Sequence, residues 1–189
     1  MVQRTTMVQA TILTLKPNVA REEALRNFSA GAATRLWNLR AGPLQRVAEA
    51  YVPYWGYRVQ YDMAGAVQSR FLALDAVTGA LDLFTFPAAP QGHQLLPVQT
   101  RNYLAAALPP ERAEELLREK ALRLVFQQGF FKLRGGKIDV TREGAEFHVP
   151  YWLGFYGNAK SVRCRVLDAV RRRIEGAKAT AFFEEWLAA

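Results

Sequence analysis

One cysteine, Cys164, and two histidines, His93 and His148, are all the thiol and imidazole that the 189 residues contain. A lone thiol excludes a disulfide within the chain and leaves the redox compartment open. A structural zinc site needs about four ligands at compatible spacing, and nothing in the chain supplies them. No stretch approaches the roughly 20 apolar residues that a membrane-crossing helix requires. Met1 to Thr6 leads into a short mixed segment and not into the long apolar run of an export signal. Glycines do not gather into a phosphate-cradling loop, since Gly135-Gly136 is an isolated pair expected to make a turn. These absences predict a soluble, cytoplasmic protein with no cofactor, no metal and no membrane span.

Half of the residues are hydrophobic and 12% are aromatic, ample for a packed core and contrary to disorder. Residues 1–90 carry nine basic and six acidic side chains and residues 91–189 carry sixteen and eleven, so the excess of +8 splits as +3 and +5. A charge spread this way permits steering toward acidic partners without marking a binding tail.

What the chain does have is a stretch that occurs twice. Val52-Pro53-Tyr54-Trp55 is followed by Leu74-Asp75-Ala76-Val77, and Val149-Pro150-Tyr151-Trp152 by Leu167-Asp168-Ala169-Val170. A self-match of this kind outranks local patterns, because it decides the architecture. Around each copy the same programme appears. Residues 7–15 are β-branched and half apolar, and Lys16-Pro17-Asn18 closes them, with Asn18 suited to cap a helix. Leu25, Phe28, Ala32, Leu36 and Leu39 then recur at three- and four-residue spacing, predicting a helix over 19–39. Alternation from Leu44 to Tyr61 predicts a strand, which Pro53 confines to an edge, a bulge or a bend. Residues 63–66 read as a hairpin loop, 70–77 as the return strand, Thr78-Gly79 as a turn and 80–86 as a third strand.

After Pro87-Ala88-Ala89-Pro90-Gln91-Gly92, a natural boundary, residues 96–104 read as a strand. Pro109-Pro110-Glu111 opens a helix whose buried face is Leu116, Leu117, Ala121, Leu124 and Val125, with Gly129 as its stop. Strands follow at 145–156 and 162–170, and Arg171-Arg172-Arg173 stands in place of Val77-Thr78-Gly79. From Lys178, Ala179, Phe182, Phe183, Trp186 and Leu187 form one apolar stripe, predicting a helix docked on the protein's own sheet. The expectation is an α+β fold: two helix-on-antiparallel-sheet repeats, 1–90 and 91–177, and a C-terminal helix, 178–189.

A helix, a long strand and a hairpin closing on Leu74-Asp75-Ala76-Val77-Thr78-Gly79 resembles the PepSY domain family, over residues 19–86 and, more loosely, 110–176. That resemblance implies a small helix-on-sheet module used for binding or inhibition, and it implies no chemistry.

Asp75 and Asp168 are the candidate carboxylate pair for a hydrolase-like enzyme, against the plainer reading that each braces the turn after it. His148 and Cys164 fall on strands expected to be neighbours, the arrangement a nucleophile and its base would need, against packing roles for both. Tyr54, Trp55, Tyr151 and Trp152 are either stacking platforms or core. Arg163, Arg165, Arg171, Arg172 and Arg173 form the densest basic segment and the best candidate for phosphate contact. The favoured reading is a non-enzymatic module that binds another protein, with the two Pro-Tyr-Trp strands and a cleft between the halves as its contact surface. Nucleic-acid binding through 163–173 is the alternative, and an enzyme using Asp75 and Asp168 the second alternative.

Overall fold

The computed structural model describes residues 9–30, 41–63, 65–127, 133–158 and 161–188. In chain order the elements are β1 (Ala10–Leu15), α1 (Arg21–Ser29), β2 (Leu44–Met63), β3 (Ala66–Asp75) and β4 (Phe84–Phe86). Then come β5 (Leu95–Thr100), α2 (Pro110–Gln127), β6 (Leu133–Arg142), β7 (Phe147–Asn158), β8 (Ser161–Asp168), β9 (Arg173–Ile174) and α3 (Ala177–Ala188). The fold is α+β. The pairs β2–β3, β2–β6, β3–β4, β7–β8 and β8–β9 are antiparallel, while β1 joins β7 in parallel at Thr14 opposite His148. Among the described residues no helix is long and apolar enough to cross a membrane.

Two differences from the periodicity are instructive. Gly135 and Gly136 lie inside β6 and make no turn. The helix expected over 19–39 ends at Ser29, where Ala30 turns extended at φ −109 and ψ 157; Leu39, the expected helix stop at Gly129 and Ala64 of the first hairpin loop fall outside the described residues.

The two hairpins close in the same register. Tyr54 faces Asp75 and Trp55 faces Leu74, just as Tyr151 faces Asp168 and Trp152 faces Leu167. Both prolines are buried within their strands. The Ala76 N–H donates to the Pro53 carbonyl at 2.8 Å, and the Ala169 N–H to the Pro150 carbonyl at 3.1 Å. Proline has no N–H to return that bond, so the carbonyls of Ala76 and Ala169 are left to accept from elsewhere. Ala76 O accepts from Ala107 and Leu108 at 2.8 and 2.9 Å, and Ala169 O accepts from Asn18 at 2.8 Å. Each proline thus opens an acceptor for the segment that leads into a helix.

Those bonds reveal an exchange. The chain divides into two compact units. Unit one gathers residues up to Val52, Leu96–Leu104 and His148 onward, and unit two gathers Pro53–Leu95 and Ala105–Phe147. Each draws on both halves of the sequence, and the expected boundary at 87–92 falls inside unit two. In unit one α1 packs on the second hairpin, with Val19, Ala24 and Phe28 against Trp152, Tyr156, Leu167 and Ala169. In unit two α2 packs on the first hairpin, with Ala113, Leu117 and Ala121 against Trp55, Tyr57, Val59, Leu72 and Leu74.

The nine residues of α1 bury Ala24 and Phe28, one turn apart, and leave Leu25 at 49% exposure, contrary to its place in the apolar pattern. Phe28 lies flat on Gly154, where a Cβ would come within 2.9 Å of the ring. The C-terminal helix α3 is docked, with Ala179, Phe182 and Phe183 buried and the Phe183 ring 5.3 Å from Tyr151.

Candidate functional site

The two aspartates are side chains of their turns. Asp75 Oδ1 accepts the N–H groups of Thr78 and Gly79, both at 2.9 Å, and Oδ2 accepts Leu81 N–H at 2.8 Å. Asp168 Oδ1 accepts Val170 and Arg171 N–H at 2.8 and 2.7 Å. Its Oδ2 takes no hydrogen bond and faces the Arg171 guanidinium at 3.8 Å. Burial raises the Asp168 carboxyl above the usual aspartate value, with the Arg171 backbone bond and charge pulling the other way. Asp75 belongs to unit two and Asp168 to unit one, and each is fully buried in its own turn.

Cys164 and His148 both lie in unit one but do not meet. Cys164 is opposite Phe155 in the β7–β8 ladder, seven residues along β7 from His148, which at strand rise is about 23 Å. Burial, and behind it the charge of Glu184, pushes the Cys164 thiol up to about 12. The imidazole of His148 instead packs edge-on to Tyr103 at 6.2 Å. Among the described residues no group of three or more His, Cys, Asp or Glu side chains is placed to hold a metal.

The four repeat aromatics are interior. Tyr54, Trp55, Tyr151 and Trp152 are 0, 7, 3 and 6% exposed, so none of these four rings is open to stack on a partner. Their polar atoms are matched within the fold, as large buried aromatics require. Trp55 Nε1–H donates to Glu146 at 3.1 Å with Arg142 over its ring at 4.4 Å, and Trp152 Nε1–H donates to the Val19 carbonyl at 3.0 Å.

The arginines separate. Arg171 faces Asp168, Arg172 donates to Asn18 O, and Arg173 forms a two-pronged pair with Glu175. Asn18, expected to cap α1, instead clasps the second turn: Ala20 holds the cap position, and Asn18 Nδ2 donates to Val170 O at 2.7 Å. Arg172, at φ 58, stands in the left-handed conformation that Gly79 adopts at φ 68. The residues replacing Val77-Thr78-Gly79 are therefore Val170-Arg171-Arg172, one place earlier than the sequence comparison set them.

Arg163 and Arg165, the latter hydrogen-bonded to Tyr156, line a groove of about 650 Å³ in unit one. One wall is β8 with Arg163, Cys164 and Arg165. The other is Ile174 and Glu175 with the first two turns of α3, where Ala177, Ala181 and Glu184 face it. The sequence carried both walls, as the Arg-Cys-Arg alternation and the tail helix, but no signal that they meet. Comparison with protein-family models, with curated proteins and with solved structures finds no match.

Proposed function

We propose that the chain is a non-enzymatic protein-binding module, a duplicated PepSY-like unit in which each copy's helix serves the other copy's hairpin. Duplication is supported by the shared register, by the paired proline acceptors, and by a left-handed residue at the same turn position in both hairpins. The observation that carries the binding reading is how the repeated polar groups are used. Asp75 and Asp168 accept backbone amides of the turns that follow them. A group so engaged stabilises the hairpin and is not poised to exchange a proton with substrate. The groove beside β8 leaves Arg163 and Glu184 on opposite walls, a surface suited to a polypeptide.

The test is capture of partners from the native cell on the immobilised protein at low and high salt. Protein recovered at both concentrations supports the reading. Recovery of nucleic acid alone, lost as salt rises, would replace it with binding through 163–173.

A further inference from the structure

We propose that the free edge of β3 pairs with the same edge of a second copy of this chain, joining two first hairpins into one continuous antiparallel sheet. The proposal goes beyond the protein-binding reading and stands apart from it.

Residues of an antiparallel strand turn their N–H and C=O groups alternately to one neighbour and the other. Ala76 N–H donates to Pro53 O, and the β2–β3 register runs unbroken from Tyr54 opposite Asp75 to Met63 opposite Ala66. Even-numbered residues of β3 therefore bond β2, and odd-numbered ones turn outward. Glu143 N–H, donating to Gly56 O on the far side of β2, fits the same parity. Phe71 and Ala73 turn their outward groups to β4, opposite Phe86 and Phe84. Pro87 follows at once, and without an N–H it cannot continue that ladder. Among the described residues no strand pairs with this side of β3 before Phe71, so Val67 and Ser69 present their main-chain groups outward.

Every residue from Ala66 to Arg70 is exposed, and Val67, at 73%, is the most exposed large apolar side chain among the described residues. In the second hairpin the corresponding strand is closed: Cys164 is 2% exposed and Val166 O accepts Glu175 N–H. Sheet edges are commonly guarded by proline, lysine, a bulge or short length. β5 carries Pro97 and β4 has only three residues. Residues 66–70 hold no proline and no lysine, and their register with β2 has no bulge. Such a strand is a template for another.

The side chains fit a copy of the same strand. Val67 set opposite Ser69 of the second copy, and Ser69 opposite Val67 of the second copy, forms two pairs about a two-fold axis, each exchanging both of its main-chain bonds. Gln68 then meets its own counterpart across the axis in the closer, non-hydrogen-bonded kind of pair, where two side-chain amides can bond each other. Arg70 falls opposite Ala66 of the second copy, so no like charges are opposed. The two Val67 side chains become diagonal neighbours on one face and cover each other. An edge this short belongs to the small, transient class of interface.

The test is sedimentation velocity on the full chain from low micromolar to millimolar concentration, in salt that screens its charge of +8. A reversible monomer–dimer equilibrium is expected. Val67→Pro removes an outward N–H that the β2 ladder does not use, a change an edge strand tolerates. It should stay monomeric at every concentration while its melting temperature holds. Val67→Lys should do the same and serves should the proline variant not fold. Register is read by oxidation. Gln68→Cys should form a disulfide-linked dimer, because its two Cα atoms meet at about 4.5 Å. Ser69→Cys, lying beside Val67 of the second copy, should form little. A monomer throughout the range overturns the proposal, as does a dimer that both Val67 variants leave intact or equal cross-linking of the two cysteine variants. If the wild type stays monomeric but Val67→Pro loses a protein captured from the cell, a foreign strand occupies this edge. Self-pairing then falls and the binding reading survives.

Discussion

The guanidinium of Arg172 donates twice to the main-chain oxygen of Asn18, from Nε at 3.0 Å and from Nη2 at 2.7 Å, across 154 residues of chain. The same arginine is left-handed, at φ 58, where the first hairpin uses Gly79. A side chain in that conformation costs about 1–2 kcal/mol, and the clasp on Asn18 offsets it. Arg172→Ala keeps the strain and loses the clasp, so it should cost about 1–3 kcal/mol. Arg172→Gly loses both and should fall within about 1 kcal/mol of wild type. Urea midpoints decide, and an unchanged midpoint for Arg172→Ala would mean the clasp contributes nothing.

The two aspartates should respond differently to amidation. In Asp75→Asn the new NH₂ must replace an oxygen that accepts a backbone N–H, because both oxygens do. That sets donor against donor in a buried site and should cost about 2–3 kcal/mol. Asp168→Asn can place its NH₂ at Oδ2, which accepts no hydrogen bond, and should stay within about 1 kcal/mol. The Asp168 carboxyl is also raised by burial, so its charge opposes folding. Its contribution is fully present below the unfolded aspartate value and declines as pH rises through the raised folded one. Asp168→Asn should remove that decline from the acid limb of the stability profile. Equal losses for the two variants would refute the distinction.

Cys164 makes an alkaline prediction. Its thiol is held neutral, pushed up to about 12 by burial. Because the folded value lies above the unfolded one of about 8.5, its contribution is intact below that pH and is lost progressively as pH rises toward 12. Thiol reagent at pH 8 should label the native protein slowly and the urea-unfolded protein at once. Rapid labelling of the folded chain would place the thiol at the surface.

Removing residues 178–189 should lower the melting temperature sharply and raise dye binding, since Phe182 and Phe183 are buried in unit one. Phe183→Ala alone should cost about 3–5 kcal/mol, and Trp55→Ala and Trp152→Ala the same. Unaltered melting of the truncated protein would show that α3 contributes nothing to the fold.

Much of this architecture is legible in the residues because alternation and turn chemistry are local. The motif strands and the Asp-braced turns read directly, and so does the tail helix, although Leu187 of its expected stripe is 46% exposed and only Ala179, Phe182 and Phe183 are buried. Leu25 misled because its spacing matches the buried face, yet in so short a helix Ala24 and Phe28 suffice to meet the hairpin. The Gly135-Gly136 pair misled because glycine punctuates turns more often than it lies in a strand. The pairing of helix with hairpin was beyond the pattern altogether. Two hairpins that close in the same register offer each helix similar apolar faces, and the bonds that choose between them, such as Asn18 to Ala169, join residues far apart in sequence.

That choice has a consequence for how the protein is made. Trp152 meets its acceptor Val19 across 133 residues. At roughly 5–20 residues per second of synthesis, α1 emerges about 7–27 s before the hairpin it covers exists. Throughout that interval Phe28 lacks its proper seat, and the first hairpin waits equally for α2. Neither half can mature alone on the ribosome. Fragments 1–90 and 91–189 should each remain unfolded when expressed singly, and combine into a folded, one-to-one complex when expressed together.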